Sequence, residues 1–361
     1  MSDAPGAPAT YGVVIASYNR HDILPICIEH VLRQGLLPKE IIIVDATAEW
    51  APMRERIAEM VHRAAPDVAF QYVPAAARSL TAQRNQGIAL ATADVLFLID
   101  DDSLMFPECA REIMAIYHAD RTGDIAGVQA ALAAAAPSSD SRLPEQKAVG
   151  GMGWAPSGAL LNWINRYVFM MAADQLFLPY WGRLPAKPPR IEADGAYVVP
   201  LLQGCRMTYR REVIARERFD QDLEKYAAAE DLDASYRASR HGVLLEAERA
   251  RIYHHTVASG RLSRGHAAEL SAMNIAFLLR KNAGAGGGPL LRLYSWLGRR
   301  LFAEFLKDAL SRRFALPQWR AMLHTSGSAW RLWTVPPSEL SKRYAAIQES
   351  ISRRYSKNRP G

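Results

Sequence analysis

Two hydrophobic periods alternate over the first 130 residues. Tyr11–Ser17 is a short apolar, β-branched run and predicts a buried strand. Between Asp22 and Gln34, Ile23, Cys27 and Val31 recur at four-residue steps, which predicts a helix ending near Gly35. Glu40–Asp45 predicts a second strand, Met53–Ala64 a helix, Val68–Val73 a third strand, Thr81–Ala91 a helix and Asp94–Ile99 a fourth strand. Strand and helix in alternation imply an α/β fold with a mostly parallel sheet and helices on both faces. Ligands of such sheets sit beyond the carboxyl ends of the strands. The segments to weigh are therefore Ser17–Arg20, Asp45–Thr47 and Asp100–Asp102, all polar and two of them acidic.

Past Ala130 the alternation is lost. Residues 131–200 are rich in Ala, Pro, Gly and Trp and give no firm element; Leu160–Trp181, interrupted by Asn162, Asn165, Arg166 and Asp174, reads as an amphipathic or buried helix rather than a membrane span. Regularity returns over Gly204–Arg249, with Glu230 opening a helix toward Ser239. Gly284–Pro289 reads as a flexible break, followed by helices over Leu290–Ser311 and Ser338–Tyr355.

Charge sharpens this division. The chain of 361 residues carries +7 overall, yet from Gly284 onward there are 14 Lys/Arg against 4 Asp/Glu, so the remainder is slightly acidic. Four of the eight tryptophans, Trp296, Trp319, Trp330 and Trp333, lie in the same basic stretch. Basic residues mixed with Trp suit an anionic membrane surface; a nucleic acid or a solvated helical tail would also accept them. No helix-turn-helix, zinc or RNA-recognition signature accompanies the basic stretch, which disfavours nucleic acid. The three cysteines are widely spaced and suggest neither a disulfide framework nor a zinc site, and the N-terminus has no signal-peptide pattern. A cytoplasmic setting is the expectation, peripheral on the inner membrane face if the tail binds lipid.

Asp100-Asp101-Asp102 closes a strand that is otherwise apolar. Three adjacent carboxylates repel one another unless a cation or hydrogen-bond donors compensate. Mg²⁺ and Mn²⁺ favour oxygen ligands, commonly one or two carboxylates plus substrate phosphates. The alternative is a solvated turn before the next helix.

Around this triplet, Ala82-Gln-Arg-Asn-Gln-Gly87 followed by Ala93–Asp102 resembles the family 2 glycosyltransferases, in which an Arg-Asn-x-Gly helix precedes an apolar strand ending in Asp-x-Asp. Val13–Arg20 resembles that family's first strand and nucleotide loop, and Ile42–Asp45 its second strand. Gly204–Val213, Phe219-Asp220 and Ala229–Asp233 resemble its acceptor-side block. The likeness extends from Tyr11 to about Gly260. It departs from the family after the second strand, where Ala46-Thr47 stand for Gly-Ser, and before the Arg-Asn helix, where Ser79 stands for Gly.

The resemblance implies a GT-A fold and an inverting, metal-dependent transfer from a UDP-, GDP- or dTDP-linked sugar to a hydroxyl on a glycan or lipid-linked acceptor, as in bacterial polysaccharide or glycolipid assembly. Ala16, Ser17, Tyr18 and Asp45 would hold base and ribose, and Asp100 or Asp101 the ribose or the metal. Asp102 and His254 would ligate Mg²⁺ or Mn²⁺, and His254 with Ser259 five residues on has the spacing of the family's metal or diphosphate ligand. Asp231 would be the general base and Glu230 would bind acceptor hydroxyls. Arg84 either meets the donor phosphates or pairs with Asp94 or Asp100. Asp233 has a plain reading as the partner of Arg237, and Arg206, Arg210 and Arg211 read mostly as surface charges. The expected organisation is a flexible 1–10 and a catalytic domain 11–283, made of a nucleotide half 11–130, an insertion 131–200 and an acceptor half 201–283. The basic helical region 284–361 follows. A sugar-nucleotide pyrophosphorylase is the rival enzyme, disfavoured because Ser17–Arg20 lacks a glycine run; a non-catalytic GT-A scaffold is the rival binding protein.

Overall fold

The computed structural model describes residues 9–137, 143, 176, 186–188, 195–256, 262–310 and 314–357. The predicted Leu160–Trp181 helix and Ser259 lie outside them. Among the described residues the chain forms two compact units: one from 1–147, 184–219 and 234–257, the other from 148–183, 220–233 and 258–361.

The first unit is built on a nine-stranded sheet. Its strands are β1 (Tyr11–Ser17), β2 (Glu40–Asp45), β3 (Ala69–Pro74), β4 (Val95–Asp100), β5 (Ser103–Met105), β6 (Ile125–Leu132), β7 (Ala196–Val198), β8 (Arg206–Arg210) and β9 (Val243–His254). They lie in the order β3-β2-β1-β4-β8-β6-β9-β5, with β7 against β9. The four strands read from the sequence pair in parallel. Beyond β4 the sheet is mixed: β8 runs antiparallel to β4 and β6, while β6 and β9 are parallel. Parallel pairing thus runs through β3-β2-β1-β4 and recurs at β6–β9, with antiparallel strands set around it. The antiparallel partners come from far along the chain: β8 lies against β4 and β6, and β9 against β5 and β7.

Alternate residues of β1 and β2 enter two cores. Val13, Ile15, Ile41 and Ile43 pack on the face that carries helices α1 (Leu24–Leu32), α2 (Ala51–Ala64) and, after α3 (Leu80–Leu90), α4 (Cys109–Ala119). Val14, Ile42 and Val44 pack on the opposite face with Ile88 of α3 and with Val213 and Ile214 of α5 (Arg211–Glu217). Helix α3 lies close against β1: a Cβ placed on Gly87 would come 2.3 Å from Val14 Cγ1. The arginines read as surface charges are structural. Arg206 is buried and paired with Glu246 at 2.9 Å, Arg210 is paired with Asp120 at 2.6 Å, and Arg211 Nε donates to Ala93 O.

Helix α6 (Glu230–Ala238) follows, and its residues divide between the two units after Asp233. The second unit contains α7 (Arg264–Ala283), α8 (Gly287–Leu310), α9 (Pro317–Ala329) and α10 (Leu340–Lys357). Helix α7, which the sequence reading attaches to the catalytic domain, belongs to this unit. The predicted glycine break shrinks to three residues: Gly284 takes φ 83° as a left-handed stop, and Gly287–Pro289 form the first turn of α8. Proline is tolerated there because that turn has no intrahelical acceptor for its missing N–H. The core joins Leu270, Met273, Phe277, Trp296, Met322 and Tyr344, with the Phe277 and Tyr344 rings stacked at 4.0 Å.

Candidate active site

Strand register assembles the carboxyl edge of the sheet. Ser17 pairs with Asp45 across β1–β2, and Ala16 pairs with Asp100 across β1–β4, so the carboxyl ends of three strands finish level with one another. Gln83 Nε2 fastens two of these ends by donating to Ser17 O at 2.8 Å and Val44 O at 2.9 Å. Its neighbour Asn85 exchanges two hydrogen bonds with the backbone of Phe219. Between them, buried Arg84 donates to Asp100 Oδ1 and Gly204 O, both at 2.8 Å. Of the two roles open to Arg84 in the sequence, pairing with Asp100 is the one the structure displays. The Gln83-Arg84-Asn85 run thus works inward, gripping the strand ends and the aspartate from beneath.

The three aspartates diverge. Asp101 turns under β1, accepting from Ser17 Oγ at 2.8 Å, with Arg20 Nε 4.0 Å away. Burial, then the nearby Asp102 charge, raise its carboxyl to about 8, against the lowering pull of Ser17 and Arg20. Asp100 and Asp102 point the other way. Strand β5 pairs with β9 so that Ser103 faces His254, and His255 N donates to Asp102 O at 2.9 Å. His254 Nε2 thereby lies 3.0 Å from Asp102 Oδ1 and 3.8 Å from Asp100 Oδ2. One ligand atom from each of Asp100, Asp102 and His254 falls within 4.8 Å of the others.

This group fits a hard or borderline divalent cation. Asp102 Oδ1 is buried and accepts no hydrogen bond of good geometry in spite of the nearby imidazole. A buried carboxylate oxygen in that condition is costly unless something else satisfies it. Two carboxylates and one imidazole form a mixed oxygen and nitrogen set that accepts Mg²⁺ or Mn²⁺ and leaves coordination positions for a ligand. Sequence reasoning named all three residues; the structure selects Asp100 over Asp101 as the second carboxylate near His254.

At the β2 end of this edge, Asp45 is only 1% exposed. It accepts from Thr47 N, from Thr47 Oγ1 at 2.6 Å and from Tyr72 OH at 2.5 Å, and Tyr72 stacks on Trp50. Thr47 Oγ1 in turn accepts from Asn19 N at 2.8 Å. Asp45 thus knits the β1 and β2 loops together; its partners are Thr47, which the sequence places in a segment to weigh without giving it a role, and Tyr72, which the sequence does not single out. Asn19 takes φ 53°, a left-handed backbone uncommon outside glycine, and the Arg78 guanidinium lies over the Tyr18 ring at 3.8 Å. Neither contact has a local sequence signal, because both join residues brought together by the parallel sheet.

The second acidic cluster belongs to the other unit. Glu230 and Asp231 open α6 after Ala229, which holds φ 71°. A non-glycine residue there costs about 1 kcal/mol or more and persists only where surrounding contacts enforce it. Those contacts come from α7 and α10. Asn274 Nδ2 donates to Tyr226 O and Ala228 O at 2.7 and 2.8 Å, and Tyr344 OH donates to Asn274 Oδ1. Lys281 pairs with Asp220 at 2.6 Å, Asn282 Nδ2 donates to Asp233 Oδ1 at 2.7 Å, and Gln348 Nε2 donates to Asp222 O. Asp233 thus has Asn282 as a partner, while Arg237 pairs with Glu217.

Residues 12–134 match the family model "Glycosyl transferase family 2". No curated protein sequence matches the chain. Solved structures with a similar fold include GalNAc-T7 with UDP, GalNAc and Mn²⁺, at 16% identity and TM-score 0.52, covering 76% of this chain and 48% of that one. A mannosyltransferase from Pyrobaculum calidifontis in complex with GDP-Man and Mn²⁺ aligns at 15% identity and TM-score 0.52 over 98% of this chain and 89% of its own. S. aureus TarS 1–349 with UDP-GlcNAc aligns at 15% identity and TM-score 0.51 over 95% and 92%. The chain spans about half the length of the GalNAc-T7 chain and most of the other two. The fold is the GT-A fold, and the likeness to the glycosyl transferase family 2 model is confined to residues 12–134, about a third of the chain.

Proposed function

On the premise that this segment makes the chain a glycosyltransferase, we propose that it moves a sugar from a nucleoside-diphosphate donor to an acceptor hydroxyl with inversion at the anomeric carbon. The observation that carries the reading is the convergence of Asp100, Asp102 and His254 at the carboxyl edge of the sheet. Asp102 and His254, with Asp100 beside them, would hold Mg²⁺ or Mn²⁺, and two of the similar structures contain Mn²⁺ with a nucleotide or nucleotide sugar. When bound, the cation supplies a positive charge that favours departure of the diphosphate.

The remaining work falls to the chain's own groups. Arg84 fixes the Asp100 carboxylate from below. Ala16, Ser17 and Tyr18 form the wall of the donor site at the end of β1, and the loop held by Asp45, Thr47 and Tyr72 forms the nucleobase side. Ser17 and Arg20 keep Asp101 turned inward, where it braces the β1 end. Asp231 takes the acceptor hydroxyl's proton during in-line attack, and Glu230 orients the acceptor. One base suffices, because a single displacement needs no enzyme nucleophile. The acceptor is a glycan or lipid-linked glycan of the kind used in bacterial envelope assembly, reached from the cytoplasmic face by a peripherally attached enzyme. The basic region 284–361 supports that position, and no described helix is long and apolar enough to cross a membrane.

A thermal-shift screen of UDP-, GDP- and dTDP-sugars with and without Mn²⁺ tests the donor and metal reading, because a ligand that binds only the folded state raises the melting temperature. A shift from one nucleotide class that disappears with a chelator is the expected result. No shift from any of them with Mn²⁺ present would end the proposal.

A further inference from the structure

Helix α8 is amphipathic in the inverted sense. In its C-terminal half, Arg300, Glu304 and Asp308 recur at four-residue steps and face inward, with Glu304 and Asp308 at 0% exposure. Both acids have partners: Arg300 at 2.8 Å from Glu304, and the Gln318 and Trp319 backbone amides, which donate to Asp308 and so cap α9. With the charged stripe turned inward, the apolar side chains of the same turns face solvent. Phe302, Phe305, Leu306 and Leu310 are exposed, Leu310 at 65% and Phe302 at 55%, and Leu291 lies on the same stripe three turns earlier. At 100° per residue these five positions span less than half the helix circumference, opposite Leu293, Leu297, Arg300 and Glu304. The stripe is about 28 Å long at 1.5 Å per residue.

A soluble helix ordinarily turns its apolar face to the core, and a run of exposed aromatic and leucine side chains marks a surface with a partner. Charge selects the partner. The stripe is edged by Arg292 and Arg299, and the only acids on the helix, Glu304 and Asp308, are buried. A second copy docking face to face across a twofold axis near the middle of the stripe would bring Arg299 against its own mate. An anionic bilayer satisfies both features, taking the apolar side chains below the headgroups and the arginines among them.

We propose that the Leu291–Leu310 face of α8 is a membrane-docking surface for anionic lipid, lying in the interface plane. This deepens the peripheral position put forward above and rests on it. The donor and metal reading is independent of it, and the thermal-shift screen judges that separately.

Co-sedimentation of the full chain with vesicles of phosphatidylcholine alone, and with about a third phosphatidylglycerol, tests the surface. The wild-type chain should pellet with the anionic vesicles and much less with the neutral ones. The variant Phe302→Ser/Phe305→Ser/Leu306→Gln/Leu310→Gln should lose at least tenfold in partitioning and stay folded with a modest fall in melting temperature, since Phe302 and Leu310 are mostly exposed while Phe305 also meets the Trp319 ring. Should that variant lose its fold, Arg292→Glu/Arg299→Glu stands in and should abolish the preference for anionic vesicles. A wild-type chain that pellets with neither vesicle would overturn the surface and the peripheral position together. A folded quadruple variant that still pellets like wild type would overturn the surface alone. A wild-type dimer in lipid-free solution that the quadruple variant converts to monomer would overturn it in favour of self-association.

Discussion

Asp100–Asp102 and Glu230–Asp233 are both short acidic runs, but they are held in different ways. The first ends a buried strand, and sheet register sets its position: β1 lies on one side, and the β5–β9 pairing delivers His254. The second follows a strained residue, Ala229, and is secured by side chains from helices 46 to 126 residues later in the chain. Ladder hydrogen bonds are many and mutually supporting, whereas the grip on residues 220–233 depends on a few side chains such as Asn274 and Lys281. A site of the first kind tolerates the loss of a neighbour; a site of the second kind depends on each clamp. The C-terminal region is therefore more than an appendage, because it holds the loop that leads to the proposed base.

If the two runs divide the chemistry as proposed, substitutions should separate them. The largest effect is expected from Asp231→Asn, with kcat lower by about a hundredfold to ten-thousandfold and the donor-induced rise in melting temperature unchanged. Asp102→Asn should do the converse, weakening Mn²⁺ binding by about a hundredfold or more and erasing the metal-dependent part of the thermal shift. Calorimetric titration with Mn²⁺ checks it, and unchanged affinity would detach the triplet from the metal.

Asn274→Ala tests the clamp. It removes the amide that donates to the Tyr226 and Ala228 carbonyls and should destabilise the protein by about 1–3 kcal/mol, with kcat down by roughly tenfold and donor affinity held. A kcat equal to wild type in the folded variant would show that the clamp does not position the base. The smallest effect concerns acid. Burial raises Asp120, but Arg210 and the Ile125 and Asp124 amides outweigh it, and its carboxyl is lowered. A lowered folded-state value adds stability above the unfolded value and loses it as pH falls through the folded one. The melting-temperature gap between wild type and Asp120→Asn should therefore be open at neutral pH and close below about pH 4.

The same contrast decides what could be read from the chain alone. The four parallel strands emerge almost to the residue, since three are continuous apolar runs and the third in sequence, β3, alternates. His254 was reachable through the family resemblance, because its meeting with Asp102 depends on an antiparallel pairing across 150 residues that no local pattern encodes. Helix α9 went unread: its sequence holds two serines, a threonine and a glycine, and its first turn is capped by Asp308 from the preceding helix. Arg206 and Arg210 looked like surface charges because their partners, Glu246 and Asp120, are distant in sequence. Tyr72 carried no signal, and Thr47 stood out only as a departure from the family's Gly-Ser, because a hydroxyl becomes informative only once a carboxylate is seen beside it.

Gly87 has a consequence for the whole donor edge. With only hydrogen between α3 and Val14, the helix rides low enough for three successive polar side chains to reach backbone or carboxylate at once. A methyl group there would lift the helix, and the Gln83, Arg84 and Asn85 contacts would slacken together. Gly87→Ala should then behave as a simultaneous loss of three anchors, blunting metal and nucleotide binding at residues it never touches.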